Sequence, residues 1–79
     1  MTKGDYSVYK SIKTELDDKI FHISLNRTAE RNAVNLPMVQ EIGQALDHAE
    51  KEFNAGNARV LIIRAEGRVF SQGIDLNAL

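Results

Sequence analysis

Two runs of the chain, 6–16 and 19–25, alternate between hydrophobic and polar positions, a period typical of half-buried strands. Within the first run Val8, Ile12 and Leu16 share one parity, and within the second run Phe21, Ile23 and Leu25 point to one side. Between the two runs lie Asp17 and Asp18, whose short polar side chains suit a turn. Two alternating runs joined by a short turn predict a β-hairpin.

The hydrophobic period changes to three and four residues between positions 38 and 53. The residues that recur at this spacing are Met38, Val39, Ile42, Ala45, Leu46, Ala49 and Phe53. They predict an amphipathic helix with one apolar stripe. Asn35 is a suitable N-cap because its side-chain oxygen can accept a backbone N–H, and Pro37 fits the first turn. A glycine in the segment 54–57 suits a left-handed C-cap and predicts the end of the helix.

A continuous apolar run, 60–63 (VLII), follows the helix and predicts a strand buried on both faces. Strand, helix and strand then form a βαβ unit, which is right-handed almost without exception. One helix and about three strands leave one face of this run without cover and its edge without a partner. Beyond a turn at 65–68, a short extended piece leads to Gly73, and Asp75 marks a possible helix start. The pattern therefore predicts an incomplete α/β domain.

Composition narrows the function classes. The chain has 79 residues, ten of them basic and eleven acidic, so nothing indicates a basic face for nucleic acid. No run reaches the roughly 18 apolar residues of a membrane helix, and the N-terminus lacks the apolar core of a secretion signal. With no cysteine, disulfides and thiolate metal ligands are excluded, and we expect no metal and a cytoplasmic location. A core this small supplies about 3–5 kcal/mol, so the chain is marginal alone, oligomeric or part of a larger domain.

Few residues are candidates for chemistry. His22 lies in a strand beside Ser24, with no nucleophile motif or carboxylate placed to orient it, and His48 lies on the helix between Asp47 and Ala49. Each is best interpreted as a packed or solvated side chain. Neither a P-loop nor a GxGxxG motif is present. The loop 27–35 (RTAERNAVN) follows a strand, a position that ligands favour in α/β sheets. Its cations Arg27 and Arg31 indicate either a ligand site or a solvated basic loop.

The second candidate loop is the segment 70–76, FSQGIDL. If Gly73 turns the chain tightly before a helix, the N–H of Ile74 can point outward at a ligand oxygen. Backbone N–H groups at a helix start have no intrahelical partner and carry partial positive charge. Such a donor is one half of an oxyanion hole.

The two loops together resemble a known family. The segments 24–46 (SLNRTAERNAVNLPMVQEIGQAL) and 60–79 (VLIIRAEGRVFSQGIDLNAL) are similar to the N-terminal part of the crotonase superfamily, the enoyl-CoA hydratase/isomerase family. The resemblance covers roughly residues 20–79. It implies an α/β fold, a spiral of repeated ββα turns. This chain would hold its hairpin, first helix, buried strand and the start of a second helix. Residues 1–79 would then be one incomplete domain, an N-terminal fragment.

The resemblance also implies a ligand and site residues. Family members bind acyl-coenzyme A thioesters and need no cofactor besides the coenzyme A of the substrate. The N–H of Ile74 would be the first oxyanion donor, stabilising the thioester enolate of a lyase or isomerase in fatty acid metabolism. Arg31 would lie near the phosphates of coenzyme A. The implied binding residues are Ala29, Glu30, Arg31, Ala33, Gln72, Gly73, Asp75 and Leu76.

The sequence departs from the family pattern in three residues and in length. Thr28 replaces a proline, Gln72 replaces a small residue, and Ile74 is larger than the common alanine. The second oxyanion donor and the proton-transfer carboxylates come later in the family, so we expect the 79-residue chain to be inactive by itself. The family is commonly trimeric or hexameric, so the full-length parent is expected to form a homo-oligomer. Two alternatives stay open: an interaction module that pairs through an exposed sheet edge, and an unrelated α/β domain.

Overall fold

A computed structural model of the chain describes residues 9–75. Its elements are the strands β1 (Ile12–Asp17) and β2 (Ile20–Leu25), a short 3-10 helix (Thr28–Glu30), helix α1 (Leu36–Asn54) and strand β3 (Val60–Ala65). The strands form one sheet in the order β1-β2-β3. Strands β1 and β2 are antiparallel, whereas β2 and β3 are parallel. The predicted α/β class, hairpin and strand–helix–strand unit are confirmed.

The hairpin turn lies one residue later than predicted. Asp17 still pairs with Ile20, and the two loop residues are Asp18 and Lys19, both with positive φ (51° and 64°). Two positive φ values are typical of the tight turns whose twist matches paired strands. The first strand is also shorter than predicted, since β1 begins at Ile12. The earliest part of the predicted strand, 6–8, lies outside the described residues.

The hydrophobic core lies between α1 and one face of β1 and β2. Its buried members are Ile12, Leu16, Phe21, Ile23, Leu25, Met38, Ala45, Ala49 and Ala58. The alternation of the hairpin therefore placed its apolar parity on the helix side, as expected from a side-chain period of two. Full burial of each large aliphatic or aromatic side chain contributes about 1.5–3 kcal/mol.

Helix α1 begins and ends as predicted. The Asn35 side chain accepts a hydrogen bond from the Met38 N–H at 3.0 Å, which satisfies one of the free donors of the first turn. Gly56, with φ of 80°, ends the helix in the left-handed conformation. The predicted apolar stripe was too wide, because Val39 and Leu46 are 50% and 41% exposed. Each follows a buried residue, Met38 or Ala45, by one position and so lies beside the buried stripe, on an exposed flank of the helix.

Strand β3 differs from the predicted buried strand. Val60, Ile62 and Ile63 are 48%, 38% and 47% exposed, so the expectation of burial on both faces was wrong. The physical reason is that α1 packs on β1 and β2, and β3 pairs only with β2 among residues 9–75. The expected lack of cover and the open edge are confirmed for this part of the chain. No helix within residues 9–75 has the length and apolar character that a membrane span requires.

Candidate active site at the loop junction

The two candidate loops meet at one edge of the sheet. The loop 26–35 follows β2 and the loop 66–75 follows β3, and these two strands are parallel neighbours. Their carboxyl ends therefore lie side by side, the position that ligands favour in α/β sheets. We call the contact between the loops 26–35 and 66–75 the loop junction.

A strand-like bridge between Val34 and Ile74 forms the centre of the junction. The Val34 N–H donates to the Gly73 carbonyl at 2.8 Å, and the Asp75 N–H donates to the Val34 carbonyl at 2.8 Å. Because a trans peptide unit is planar, its C=O and N–H point in opposite directions. The bond to the Gly73 carbonyl therefore turns the Ile74 N–H away from the loop 26–35. This N–H donates to no acceptor within residues 9–75, and the Ile74 side chain is 67% exposed.

Gly73 provides the predicted turn. Its φ of 98° lies in the region that favours glycine, although a Cβ at this position would meet no atom within 4 Å. The Gly73 N–H donates to the Ser71 hydroxyl oxygen at 3.0 Å. Backbone conformation rather than lack of space therefore requires glycine here.

Asn32 joins the two loops from the inside. It is 1% exposed, and its side-chain amide donates to the carbonyls of Glu66 (3.0 Å) and Val69 (2.7 Å). Its side-chain oxygen accepts from the Arg27 N–H at 2.7 Å. Asn32 was not among the predicted site residues, although it lies within the candidate loop 27–35. The signal that could have found it is that asparagine tolerates a left-handed backbone, here φ of 56°, and also carries amide donors.

Arg27 is bound within the junction rather than facing a ligand. Its guanidinium donates to the Ala33 carbonyl and lies 3.5 Å from Asp75 Oδ2 and 3.7 Å from Glu30 Oε1. The Arg27 and Asp75 side chains are only 15% and 18% exposed. Of the two cations predicted in this loop, Arg31 is therefore the one at the surface.

A cavity of about 330 Å³ opens between the loops and is lined in part by Arg31, Asn32, Glu66 and Arg68. Two guanidinium groups on its wall attract an anion, and the Glu66 carboxylate lowers that attraction on one side. Arg68 was absent from the predicted site, because its place on the wall of the same cavity as Arg31 depends on how the loops fold together.

The remaining predicted site residues divide by exposure. Ala29, Glu30, Arg31 and Gln72 are exposed, and the Gln72 N–H donates to the Arg31 carbonyl at 3.2 Å. Ala33 is 2% exposed, main chain included, and its carbonyl accepts from the Arg27 guanidinium. Leu76 lies outside the described residues, as does most of the helix predicted to start at Asp75.

Neither histidine belongs to the junction. His22 lies on the open face of the sheet, beside a pair in which Arg64 Nε donates to Ser24 Oγ at 3.1 Å. The Nδ1 atom of His22 is buried and has no hydrogen-bond partner among residues 9–75. His48 Nδ1 lies 3.4 Å from the Tyr9 hydroxyl. No cluster of three metal-binding side chains occurs in the described part of the chain.

Comparison with known proteins identifies the family. A family profile described as enoyl-CoA hydratase/isomerase matches residues 15–79, which include both loops. The chain belongs to this family, within the crotonase superfamily, and its resemblance to the N-terminal part of the fold is confirmed.

Individual relatives agree with this assignment. The chain is 37% identical over 68 residues to a trans-2-decenoyl-acyl-carrier-protein isomerase of Streptococcus mutans, covering 86% of the chain and 25% of the relative. It is 45% identical over 60 residues to a mitochondrial enoyl-CoA hydratase domain-containing protein 3 of Xenopus laevis, covering 76% of the chain and 19% of the relative.

Solved structures share the fold. The crystal structure of an enoyl-CoA hydratase from Shewanella pealeana matches with a TM-score of 0.84 at 26% identity, covering 91% of the chain and 26% of the other chain. One from Thermoplasma volcanium matches with a TM-score of 0.79 at 32% identity, covering 92% and 28%. The chain thus spans about a quarter of the length of the proteins it matches.

Proposed function

We propose that this chain forms the front part of an acyl-CoA-binding enzyme of the enoyl-CoA hydratase/isomerase type, in which the Ile74 N–H is an oxyanion donor. The observation that carries the proposal is the orientation of the 73–74 peptide unit. Its carbonyl is held by Val34, and its N–H points out of the junction with no acceptor in residues 9–75.

The chemistry of the donor follows from where charge develops. When a base removes the proton next to a thioester carbonyl, or a nucleophile adds to the conjugated double bond, negative charge moves to the carbonyl oxygen. A fixed N–H stabilises this oxyanion, and loss of one such donor costs about 2.7–4 kcal/mol of transition-state stabilisation. The stabilisation requires a second donor and proton-transfer groups in place around it. We therefore propose that the 79-residue chain alone has no hydratase or isomerase turnover.

The second part of the proposal concerns the phosphate-bearing portion of the thioester ligand. Ala29, Glu30, Arg31 and Gln72 line the exposed rim of the junction, and Arg31 with Arg68 brings positive charge to the cavity beside it. Guanidinium groups suit phosphate because they donate two parallel hydrogen bonds. Coenzyme A and the prosthetic group of acyl-carrier protein both present phosphate and a pantetheine thioester. A cytoplasmic location and a homo-oligomeric parent stay predictions.

Calorimetry on the complete polypeptide encoded by the gene tests the ligand class. One titration uses an acyl-coenzyme A and another uses the same acyl group on acyl-carrier protein, with free coenzyme A as the reference. We expect saturable binding of the acyl-coenzyme A. Binding of only the carrier-protein thioester would move the proposal to that carrier, and absence of binding at millimolar concentration of either would overturn it.

Ile74→Pro in the complete polypeptide tests the donor itself. The proline has no N–H, so we expect kcat/KM to fall by about 10²–10³-fold, the usual effect of losing one oxyanion donor. Ile74→Ala is the matched control because it shortens the same exposed side chain and keeps the N–H. Equal activity of the Ile74→Pro variant and the Ile74→Ala control would refute the oxyanion role.

One observation favours the alternative function as an interaction module. Strand β3 has an open edge within residues 9–75, and its Val60, Ile62 and Ile63 side chains are exposed. Unpaired strand edges readily accept another strand. Sedimentation of the 79-residue chain over a range of concentrations tests this: a defined dimer that is lost on Ile62→Lys supports edge pairing, and a monomer at all concentrations argues against it.

A further inference from the structure

Hydrogen bonds connect Asn32 to the loop 66–75 through its side-chain amide and, by way of the Ser71 hydroxyl, connect its main-chain carbonyl to the Gly73 N–H. The Asn32 amide holds the start of the loop 66–75 through the carbonyls of Glu66 and Val69. The Asn32 carbonyl accepts from the Ser71 hydroxyl at 2.8 Å, and that hydroxyl oxygen accepts from the Gly73 N–H at 3.0 Å. The loop 66–75 is thus attached to Asn32 near its beginning, middle and end.

The same residue shapes the other loop. The Arg27 N–H donates to Asn32 Oδ1 and the Asn32 N–H donates to the Arg27 carbonyl, both at 2.7 Å. These two bonds close the turn that leads to Val34, whose N–H holds the Gly73 carbonyl. Both partners of the bond that orients the 73–74 peptide unit are therefore linked to Asn32. Val34 follows the turn that the Asn32 side chain closes, and Gly73 is bonded through Ser71 to the Asn32 main-chain carbonyl.

Asparagine meets requirements at position 32 that aspartate, a side chain of the same shape, does not. Its backbone is left-handed, with φ of 56°, and its amide supplies two donors and one acceptor, all of which are used. An aspartate of the same shape would place a carboxylate against two carbonyl oxygens, since an ionised carboxylate only accepts. A buried polar group that is fully hydrogen-bonded confers rigidity, and one that is partly bonded is costly.

We propose that Asn32 is a positioning residue that sets the direction of the Ile74 N–H toward the thioester oxygen. This inference rests on the proposed function. Misplacement of a catalytic group by about 1 Å can cost about 10²-fold in rate. Asn32 touches no substrate in this proposal and acts only through Gly73 and Val34.

The test compares the complete wild-type polypeptide with Asn32→Gly, which keeps left-handed freedom and removes the amide. The first readout is the ¹³C NMR shift of the bound thioester carbonyl in an acyl-coenzyme A labelled at that carbon. The second is kcat and KM measured separately. In the wild type we expect the carbonyl signal to move downfield on binding. In Asn32→Gly it should return toward the free position, with kcat about 10–100-fold lower and KM changed less than about threefold.

Two variants away from the junction separate positioning from general stability. Asn57→Gly makes the same substitution at an exposed site, where the Asn57 side chain donates to Glu52 Oε1 at 2.9 Å. Gly56→Ala strains the C-cap of α1 and so lowers stability without touching the junction. Both should keep the wild-type carbonyl shift.

The outcomes distinguish the inference from the proposed function. No carbonyl shift in the wild type overturns the proposed function and this inference with it. A wild-type shift that persists in the folded fraction of Asn32→Gly overturns the inference alone, as does an equal loss in the two control variants. If Asn32→Gly does not fold, Ser71→Ala removes the hydroxyl between Asn32 and Gly73, and a smaller change in the same direction is expected; an unchanged shift there also overturns the inference.

Discussion

The helix-covered core and the loop junction are held together by different forces. In the core, eight hydrophobic residues of β1, β2 and α1, together with Ala58 just before β3, are 0–7% exposed. In the junction, only Asn32 and Ala33 are buried, and the two loops are joined by hydrogen bonds and the Arg27–Asp75 pair. Apolar burial is non-directional, whereas hydrogen bonds depend on angle. The core therefore supplies stability, and the junction sets the direction of a main-chain donor.

The same contrast occurs within the sheet. Ile23 and Ile63 are register partners in neighbouring parallel strands and so point to the same face. Ile23 is fully buried, while Ile63 is 47% exposed because α1 lies over β1 and β2. Position relative to the helix, and not residue type, decides how much each isoleucine contributes.

The largest expected effect is a loss of stability when Ile23 rather than Ile63 is shortened. Ile23→Ala should lower the free energy of unfolding by about 2–5 kcal/mol, because it removes buried methyl groups and leaves a cavity. Ile63→Ala is the matched control and should cost about 1 kcal/mol or less. Urea denaturation of the 79-residue chain measures both costs. If Ile23→Ala no longer unfolds cooperatively, its cost lies at the upper end of the expected range. Equal costs for the two variants would show that cover by α1 does not distinguish the two positions.

A smaller effect separates stability from site geometry. Gly73→Ala and Gly56→Ala each place a Cβ on a left-handed backbone with open space around it, φ being 98° and 80°. Each should cost about 1–2 kcal/mol of stability for that backbone strain. Only Gly73→Ala should also weaken acyl-coenzyme A binding, because only Gly73 belongs to the junction. Parallel thermal unfolding and calorimetry of the complete polypeptide check this, and an equal loss of binding in both variants would contradict the separation.

The smallest effect concerns pH at the edge of the core. Burial, followed by the nearby charges of Glu41 and Asp47, raises the pKa of Tyr9 above its usual value of about 10. The unfolded chain then loses this proton at a lower pH than the folded chain. The contribution of Tyr9 to stability is complete below pH about 10 and is lost as the pH rises through the raised pKa.

The variant Tyr9→Phe should remove that part of the pH dependence between pH 9 and 11. Thermal midpoints of the two proteins over this range measure it. Identical slopes for the wild type and Tyr9→Phe would show that the Tyr9 hydroxyl is not protected in the folded chain.

Much of the fold was predictable because local patterns report local structure. The period of two around Phe21, the period of three to four around Ala45, the Asn35 cap and the glycine end of α1 were all confirmed. The errors were those that need packing information. The turn moved by one residue to Asp18–Lys19, and Val39 and Leu46 proved exposed.

The candidate site was predictable in part. The segment FSQGIDL indicated a glycine turn with a main-chain donor at Ile74, and the structure has Gly73 at positive φ and an Ile74 N–H without an acceptor in residues 9–75. The partners that orient this donor come from residues about 40 positions earlier in the chain. No sequence spacing relates Asn32 to Ser71 or Arg27 to Asp75. Asn32 was therefore missed, and Arg27 was misinterpreted as a free cation.

By itself, the sequence determined the elements, their order, the family and the position of the turn at Gly73, because these depend on neighbouring residues. Only the tertiary structure decided that β3 is exposed, that Arg27 is paired with Asp75, and that Asn32 joins the loops. The physical reason is the parallel pairing of β2 with β3. It brings two distant loops to one edge, where directional hydrogen bonds form that no local pattern records.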